Sequence, residues 1–210
     1  MDVVIIDYGT GNIRSVYNSI TSAGKNLRRL KIRVTSNPKT ILKADKAILP
    51  GQGSFRQCMM SLNSIDDLVN ALNFYVKEKN KPLLGICVGM QLFAKEGYEE
   101  KKTKGLNWIE GVVKKINISN KKLKLPHMGW NNLILKKKNF ILKKIKNLSH
   151  FYFVHSYEFK TKKLEYVLAE VDYGKKIIAC LNKENLFGTQ FHPEKSEKNG
   201  INFMRNFLNF

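Results

Sequence analysis

Cys87 stands between two glycines in GICVGMQ (85–91), where a strand-like run, KPLLGI, gives way to a helix-like stretch. A cysteine there is either a small buried hydrophobe or a thiol held up as a nucleophile. G-x-C-x-G has the form of a nucleophile elbow with cysteine in place of serine. The glycines have a physical reason: in so tight a turn, side chains two positions either side of the nucleophile would collide with neighbouring backbone. The following helix aims its N-terminal N–H groups at the sulfur, which favours thiolate. Such a thiol needs a base, and FGTQFHPEKS (187–196) offers one. In an extended segment bent at Pro193, His192 and Glu194 lie on the same side, so Glu194 can hold one ring nitrogen while the other faces Cys87. By itself HPE reads as a surface turn after a buried strand; with Cys87 it completes a nucleophile–base–orienter set. A third segment, ILPGQGSF (48–55), runs a strand into Gly51-Gln52-Gly53. The flanking glycines let the Gln52 N–H face an incoming oxygen, and with the Val88 amide this makes an oxyanion hole.

Something must hold these three segments together. VVIID (3–7) is a short apolar run closed by Gly9 and Gly11, as in a buried parallel strand. A helix is predicted from Asn12 to about Ala23 with Gly24 as its stop, then strands at LKIRV (30–34) and KAILP (46–50). Residues 64–78 place Ile65, Leu68, Val69, Leu72 and Val76 on one helical stripe, with Ser64 as cap. KPLLGI (81–86) is the next strand. The βαβα order implies a parallel sheet covered by helices on both faces. Beyond about residue 105, GVVKKINI, LILKK, FYFVHSYEF, EYVLAEV, KIIACL and LFGTQF read as short strands of an antiparallel extension, and INFMRNFLNF as a closing helix. The expected fold is α/β, a mixed, mainly parallel central sheet flanked by helices with that extension. No repeat or Pro/Ser-rich linker marks a boundary, so residues 1–210 are expected to form one domain.

Composition narrows the function classes. The chain carries 37 Lys+Arg against 17 Asp+Glu, a net charge of +20, which invites a nucleic-acid reading. The lysines are scattered, however, with local runs such as LKKKNFILKKIKN (135–147) and no interleaved base-stacking aromatics or zinc-finger spacing. A solvated surface is the expectation, with no nucleic-acid partner. Cys58, Cys87 and Cys180 form no CxxC or metal-ligand pair, so neither a disulfide framework nor a metal site is expected. The start, MDVVIIDYG, lacks a secretory n- and h-region, and no apolar run approaches the ~20 residues of a membrane span. A cytoplasmic protein is expected.

PGQGSF, GICVGMQ and FHPEKS, in this order and at these separations, resemble the class I (triad) glutamine amidotransferases. Three further stretches, DYGTGNIRSV (7–16), PHMGWN (126–131) and the lysine-serine extension of HPEKS, are similar to the glutaminase subunits of imidazole glycerol phosphate synthase. The resemblance covers essentially the whole chain. It implies a Cys87–His192–Glu194 triad, L-glutamine as substrate and no cofactor or metal. It implies that Gly51, Gly53, Gln91, Glu96, Ser156 and Tyr157 surround the substrate. A HisF-like (β/α)8 cyclase subunit is implied as heterodimer partner, receiving ammonia to form imidazole glycerol phosphate and an aminoimidazole carboxamide ribonucleotide. Asn12, Met128, Trp130 and Lys195 would face it, the first in the DYGTGN loop and the next two in the PHMGWN loop. From the residues alone Trp130 is as readily a core residue, Lys195 one more solvated lysine, and DYGTGNIR a dinucleotide fingerprint lacking its third glycine. Gln52 stands where the family has a small apolar residue, and LFAKEGYEEKKTKG after Gln91 is unusually lysine-rich. These departures leave open a paralogous subunit that supplies ammonia for amidating a surface-glycan sugar. A γ-glutamyl hydrolase would share the triad but have no use for the two interface loops.

Overall fold

The structure is a computed structural model that describes residues 1–120 and 122–210. Val3 to Ile6 have no solvent exposure and form the body of β1 (Asp2–Ile6). A strand apolar on both faces belongs inside a helix-covered sheet. It is followed by α1 (Ile13–Ala23), β2 (Lys31–Thr35), α2 (Pro38–Lys43), β3 (Lys46–Gly51), α3 (Phe55–Ser64), α4 (Leu68–Asn73), β4 (Leu83–Cys87) and α5 (Val88–Gln91). The starts are capped as their residue types require: Asn12, Asn37 and Ser54 each accept a first-turn N–H.

One helix over 64–78 is not what forms. Ser64 ends α3 instead of capping a new helix, and the chain turns at Asp67, whose φ is 56°. Aspartate tolerates that left-handed conformation, and apolar periodicity carries no trace of it. After α4 comes a π turn, Phe74–Glu78, whose extra residue lets Tyr75 and Val76 both face the core. Leu68 and Leu72 are buried as the stripe required, while Ile65 and Val69 are half-buried.

The second half supplies β5 (Glu96–Gly97), β6 (Thr103–Lys104), β7 (Val112–Lys115), β8 (His127–Leu135), β9 (His150–His155), β10 (Tyr157–Lys160), β11 (Val167–Asp172), β12 (Lys176–Lys183), β13 (Leu186–Thr189) and α6 (Glu197–Leu208). Among the described residues the main sheet has nine strands, ordered β2-β1-β3-β4-β13-β12-β11-β8-β9. Pairings from β2 to β13 are parallel and those from β13 to β9 antiparallel, the mixed sheet with an extension that the strand order implied. FYFVHSYEF is not one strand. It breaks at Ser156, and β10 leaves for a smaller sheet, β10-β7-β5-β6. PHMGWN, expected as a loop, is mostly the start of β8. Register places Gly51 beside Cys87 and Ile86 beside Thr189, so β3, β4 and β13 end together. Carboxyl ends of adjacent parallel strands are where α/β sheets hold their ligands.

Candidate active site

Cys87 ends β4 with φ 56° and ψ −114°, a strained conformation for a side chain with a Cβ, and is 4% exposed. The elbow closes only because its flanks are glycine. A Cβ on Gly89 would lie 1.9 Å from the Leu49 carbonyl oxygen, and one on Gly85 would lie 2.6 Å from the Phe93 ring. The sulfur lies 3.9 Å from the Val154 carbonyl oxygen and 3.7 Å from Gln190 Nε2. Val88 opens α5, so its N–H has no intrahelical acceptor.

His192 Nδ1 is 2.7 Å from Glu194 Oε1, the pairing the motif required. The segment is a 3-10 turn, Pro193–Lys195, rather than extended chain. Proline at its first position suits the fixed φ. Backbone ties fix the base: the His192 N–H donates to the Tyr152 carbonyl at 2.9 Å. Ser196 Oγ donates to the His192 carbonyl at 2.6 Å and accepts the Tyr152 N–H at 3.0 Å. Burial opposes charge on the imidazole, yet the Cys87 sulfur and the Glu194 carboxylate together outweigh it and raise His192 to about 10. Nε2 is buried and makes no well-formed hydrogen bond.

A cavity of about 250 Å³ opens over the sulfur, lined by Gln52, Gly53, Val88, Gln91, Ser156 and Tyr157, among others. A wider groove of about 700 Å³, walled by Lys136, Lys137, Lys138 and Lys143, holds no nucleophile or base. Gly51 sits behind the cavity wall, packed on the Gly89 amide. Gln91 donates to Gln190 Oε1 at 2.9 Å and to the Tyr157 carbonyl at 3.1 Å, fixing the segment after β9 against the elbow.

Glu96 is not part of this cavity. Its carboxylate, half-buried in β5, is taken by the Tyr98 hydroxyl and by Lys102 at 3.1 Å. The carboxylate that does line the cavity is Glu99, which no sequence motif singled out. Glu99 Oε2 accepts the Phe55 N–H at 2.7 Å, a cap on α3. Burial raises its carboxyl, partly countered by that N–H.

His155 also lines the cavity, as one end of a buried chain that no spacing announced. Asn131 Nδ2 donates to His127 Nε2 (3.1 Å), which makes His127 Nδ1 the donor to His155 Nε2 (3.1 Å). His155 Nδ1 then donates to the Tyr157 carbonyl at 2.8 Å. The Asn131 amide is itself oriented by the Asp172 carbonyl and the Asn132 N–H. Burial lowers His127 to about 4 and His155 to about 3, so both are neutral and their tautomers are set.

Of the residues expected to face a partner, Met128, Trp130 and Lys195 lie together beside the cavity. Met128 and Trp130 are 62% and 49% exposed on one face of β8, so Trp130 is no core residue. Trp130 packs edge-on against Tyr152, whose ring lies 5.5 Å below Lys195 Nζ at the cavity mouth. Asn12 spends its side-chain oxygen capping α1. Among the described residues no three His, Cys, Asp or Glu side chains converge as metal ligands, and no helix is long and apolar enough to cross a membrane.

This architecture has known counterparts. A solved glutamine amidotransferase superposes with TM-score 0.72 over 98% of this chain and 97% of its own, at 18% identity. A putative GMP synthase component from Thermoplasma acidophilum superposes at 0.70 over 100% and 92%, also at 18% identity, so both speak to the fold alone. In sequence, the imidazole glycerol phosphate synthase subunit HisH of Pelagibacter ubique is 52% identical over all of both chains. The HisH subunit of Rhodopseudomonas palustris is 44% identical over 99% of this chain and 98% of its own. Residues 4–209 match the glutamine amidotransferase class-I model. The chain belongs to the class-I glutamine amidotransferase family, among its HisH subunits.

Proposed function

We propose that the chain is the glutaminase subunit of an imidazole glycerol phosphate synthase, hydrolysing glutamine and handing the ammonia to a (β/α)8 cyclase subunit in histidine biosynthesis. The observation that carries the chemistry is Cys87 on a strained elbow, in one cavity with a His192 that Glu194 holds at 2.7 Å. Cys87 sulfur attacks the side-chain carboxamide carbon, and the N–H groups of Val88 and Gln52 take up the charge on its oxygen. His192 protonates the departing nitrogen, the C–N bond breaks, and a glutamyl thioester remains. His192 next takes a proton from water, hydroxide adds to the thioester, and glutamate leaves with the thiolate restored. Glu194 keeps the imidazole in one tautomer throughout. Glu99 is the carboxylate placed to receive the substrate's α-ammonium, with Ser156 and Tyr157 along its amino-acid end.

The cyclase would sit on the Met128–Trp130 face, an exposed apolar pair beside the cavity mouth, with Lys195 reaching a carboxylate on it. Ammonia released there enters the partner without meeting bulk water, where protonation would end its nucleophilicity. No observation favours the surface-glycan paralog, since the relatives compared carry the imidazole glycerol phosphate synthase name. The test is Cys87→Ala in the assembled pair. Glutamine-dependent synthesis should vanish while synthesis from added ammonium salts persists. Equal loss of both, with the complex intact, refutes the division of labour.

A further inference from the structure

A buried hydroxyl and a buried thiol outside the triad touch the segment that carries Gln52. Tyr8 Oη donates to the Pro50 carbonyl at 2.7 Å. Cys58 Sγ, at the first turn of α3, donates to the Gln52 carbonyl at 3.4 Å, with Thr10 Oγ1 3.6 Å from the same sulfur. Tyr8 is 3% exposed and Cys58 fully buried. Burial raises the Tyr8 hydroxyl well above its ordinary range and raises the Cys58 thiol, so both keep the protons they donate.

The two acceptors are not arbitrary carbonyls. Pro50 C=O belongs to the peptide before Gly51, and Gln52 C=O to the peptide after Gln52. Between them lies a single peptide, Gly51–Gln52, and its N–H is the oxyanion donor assigned above. A peptide next to glycine turns cheaply about the axis that its two neighbours set, so holding those neighbours fixes the axis. We propose that Tyr8 and Cys58 are positioning residues for this donor: they clamp the carbonyls on either side of the Gly51–Gln52 peptide and so fix the axis from which the Gln52 N–H is presented to the tetrahedral oxyanion. The inference rests on the glutaminase reading. Both anchors act at the transition state, so they bear on kcat and leave substrate binding alone.

Steady-state glutamate release by the full chain assembled with its cyclase partner tests this in Tyr8→Phe, Cys58→Ala and Cys58→Ser. Outright loss of one oxyanion donor costs roughly 10²–10³-fold, and loosening one is expected to lower kcat about tenfold at little-changed KM. Tyr8→Phe removes one oxygen and should show the loss without unfolding. Cys58→Ala should show a loss that Cys58→Ser, which keeps a donor at that position, largely reverses. Unchanged kcat in Tyr8→Phe overturns the proposal, as does a serine variant no better than alanine, which would mark Cys58 as packing. Wild-type chain that releases no glutamate at all refutes the glutaminase reading itself, so the two failures are distinguishable.

Discussion

Gly89→Ala is the smallest change that should dismantle the site without touching a reacting atom. Its Cβ would lie 1.9 Å from the Leu49 carbonyl oxygen and 2.9 Å from the carbonyl carbon. Both are backbone atoms of a fully buried strand, so no side chain can swing aside. Ordinary contact begins at 3.4 Å, so α5 and β3 must part by about 1.5 Å. β3 runs into Gly51–Gln52, and α5 begins at the residue after Cys87, so the displacement falls on the oxyanion peptide and the nucleophile at once. A 1 Å misplacement is worth about 10²-fold, and glutamate release should drop at least that far. Overpacking costs about 1–3 kcal/mol against a typical 5–15 kcal/mol total, so the fold should survive. Glutamate release with the partner present reads the loss, with circular dichroism and ammonium-dependent synthesis as controls. A variant within about threefold of wild type in kcat would refute the close-approach account of the elbow.

Glu99→Gln should raise KM for glutamine by roughly tenfold or more, the worth of a charge-assisted contact, whereas Glu96→Gln should leave KM unchanged; the reverse pattern would restore Glu96 to the substrate. Nitrogen-15 NMR should find His192 protonated up to about pH 10 and His127 and His155 neutral down to about pH 4 and 3. The linkage signs differ. The raised His192 contributes stability below its unfolded pKa that is lost as pH climbs through about 10. The lowered pair costs stability as pH falls from about 6.5, where the unfolded chain begins to bind protons that the fold refuses. Melting temperature that stayed level from pH 7 to 4 would speak against a neutral buried pair.

What could be read from the sequence was whatever local backbone constraint encodes. The elbow glycines, the His-Pro-Glu turn and the capped α1 each declare themselves within a few residues. Glu99 did not, because its placement depends on a long-range return: the two-residue β5 carries no periodic signature, and Glu96, Glu99 and Glu100 compete within one short stretch. The fold selects among them by setting Glu99 in the cavity wall and its carboxylate on the Phe55 N–H, 44 positions away. Cys58 and Tyr8 are buried in the core, and their donor roles depend on where the Pro50 and Gln52 carbonyls point, which no local pattern encodes. The His127–His155 chain needed the β8–β9 register, which pairs the two histidines directly.

That register also brings the exposed face to the site, whereas the base reaches the nucleophile because β13 lies beside β4. In sheet order β9 stands at the far edge, with β13, β12, β11 and β8 between it and β4, yet the Val154 carbonyl lies 3.9 Å from Cys87 sulfur. The accumulated twist of the antiparallel half has therefore brought its edge back over the carboxyl ends of the parallel half. Cys87 rides on the elbow of β4 and His192 follows β13 beside it, tied by backbone and Ser196 bonds to Tyr152 in β9. Trp130 sits opposite Tyr152 across the β8–β9 pair, so the exposed apolar face adjoins the residue that holds the His192 backbone. Pressure on Trp130 bears on His192 through Tyr152, and pressure on Met128 bears on the Cys87 sulfur through Val154. Nucleophile and base both stand at the sheet's centre, and both are also touched by β9, so a partner docked on the exposed face would bear on their alignment from outside.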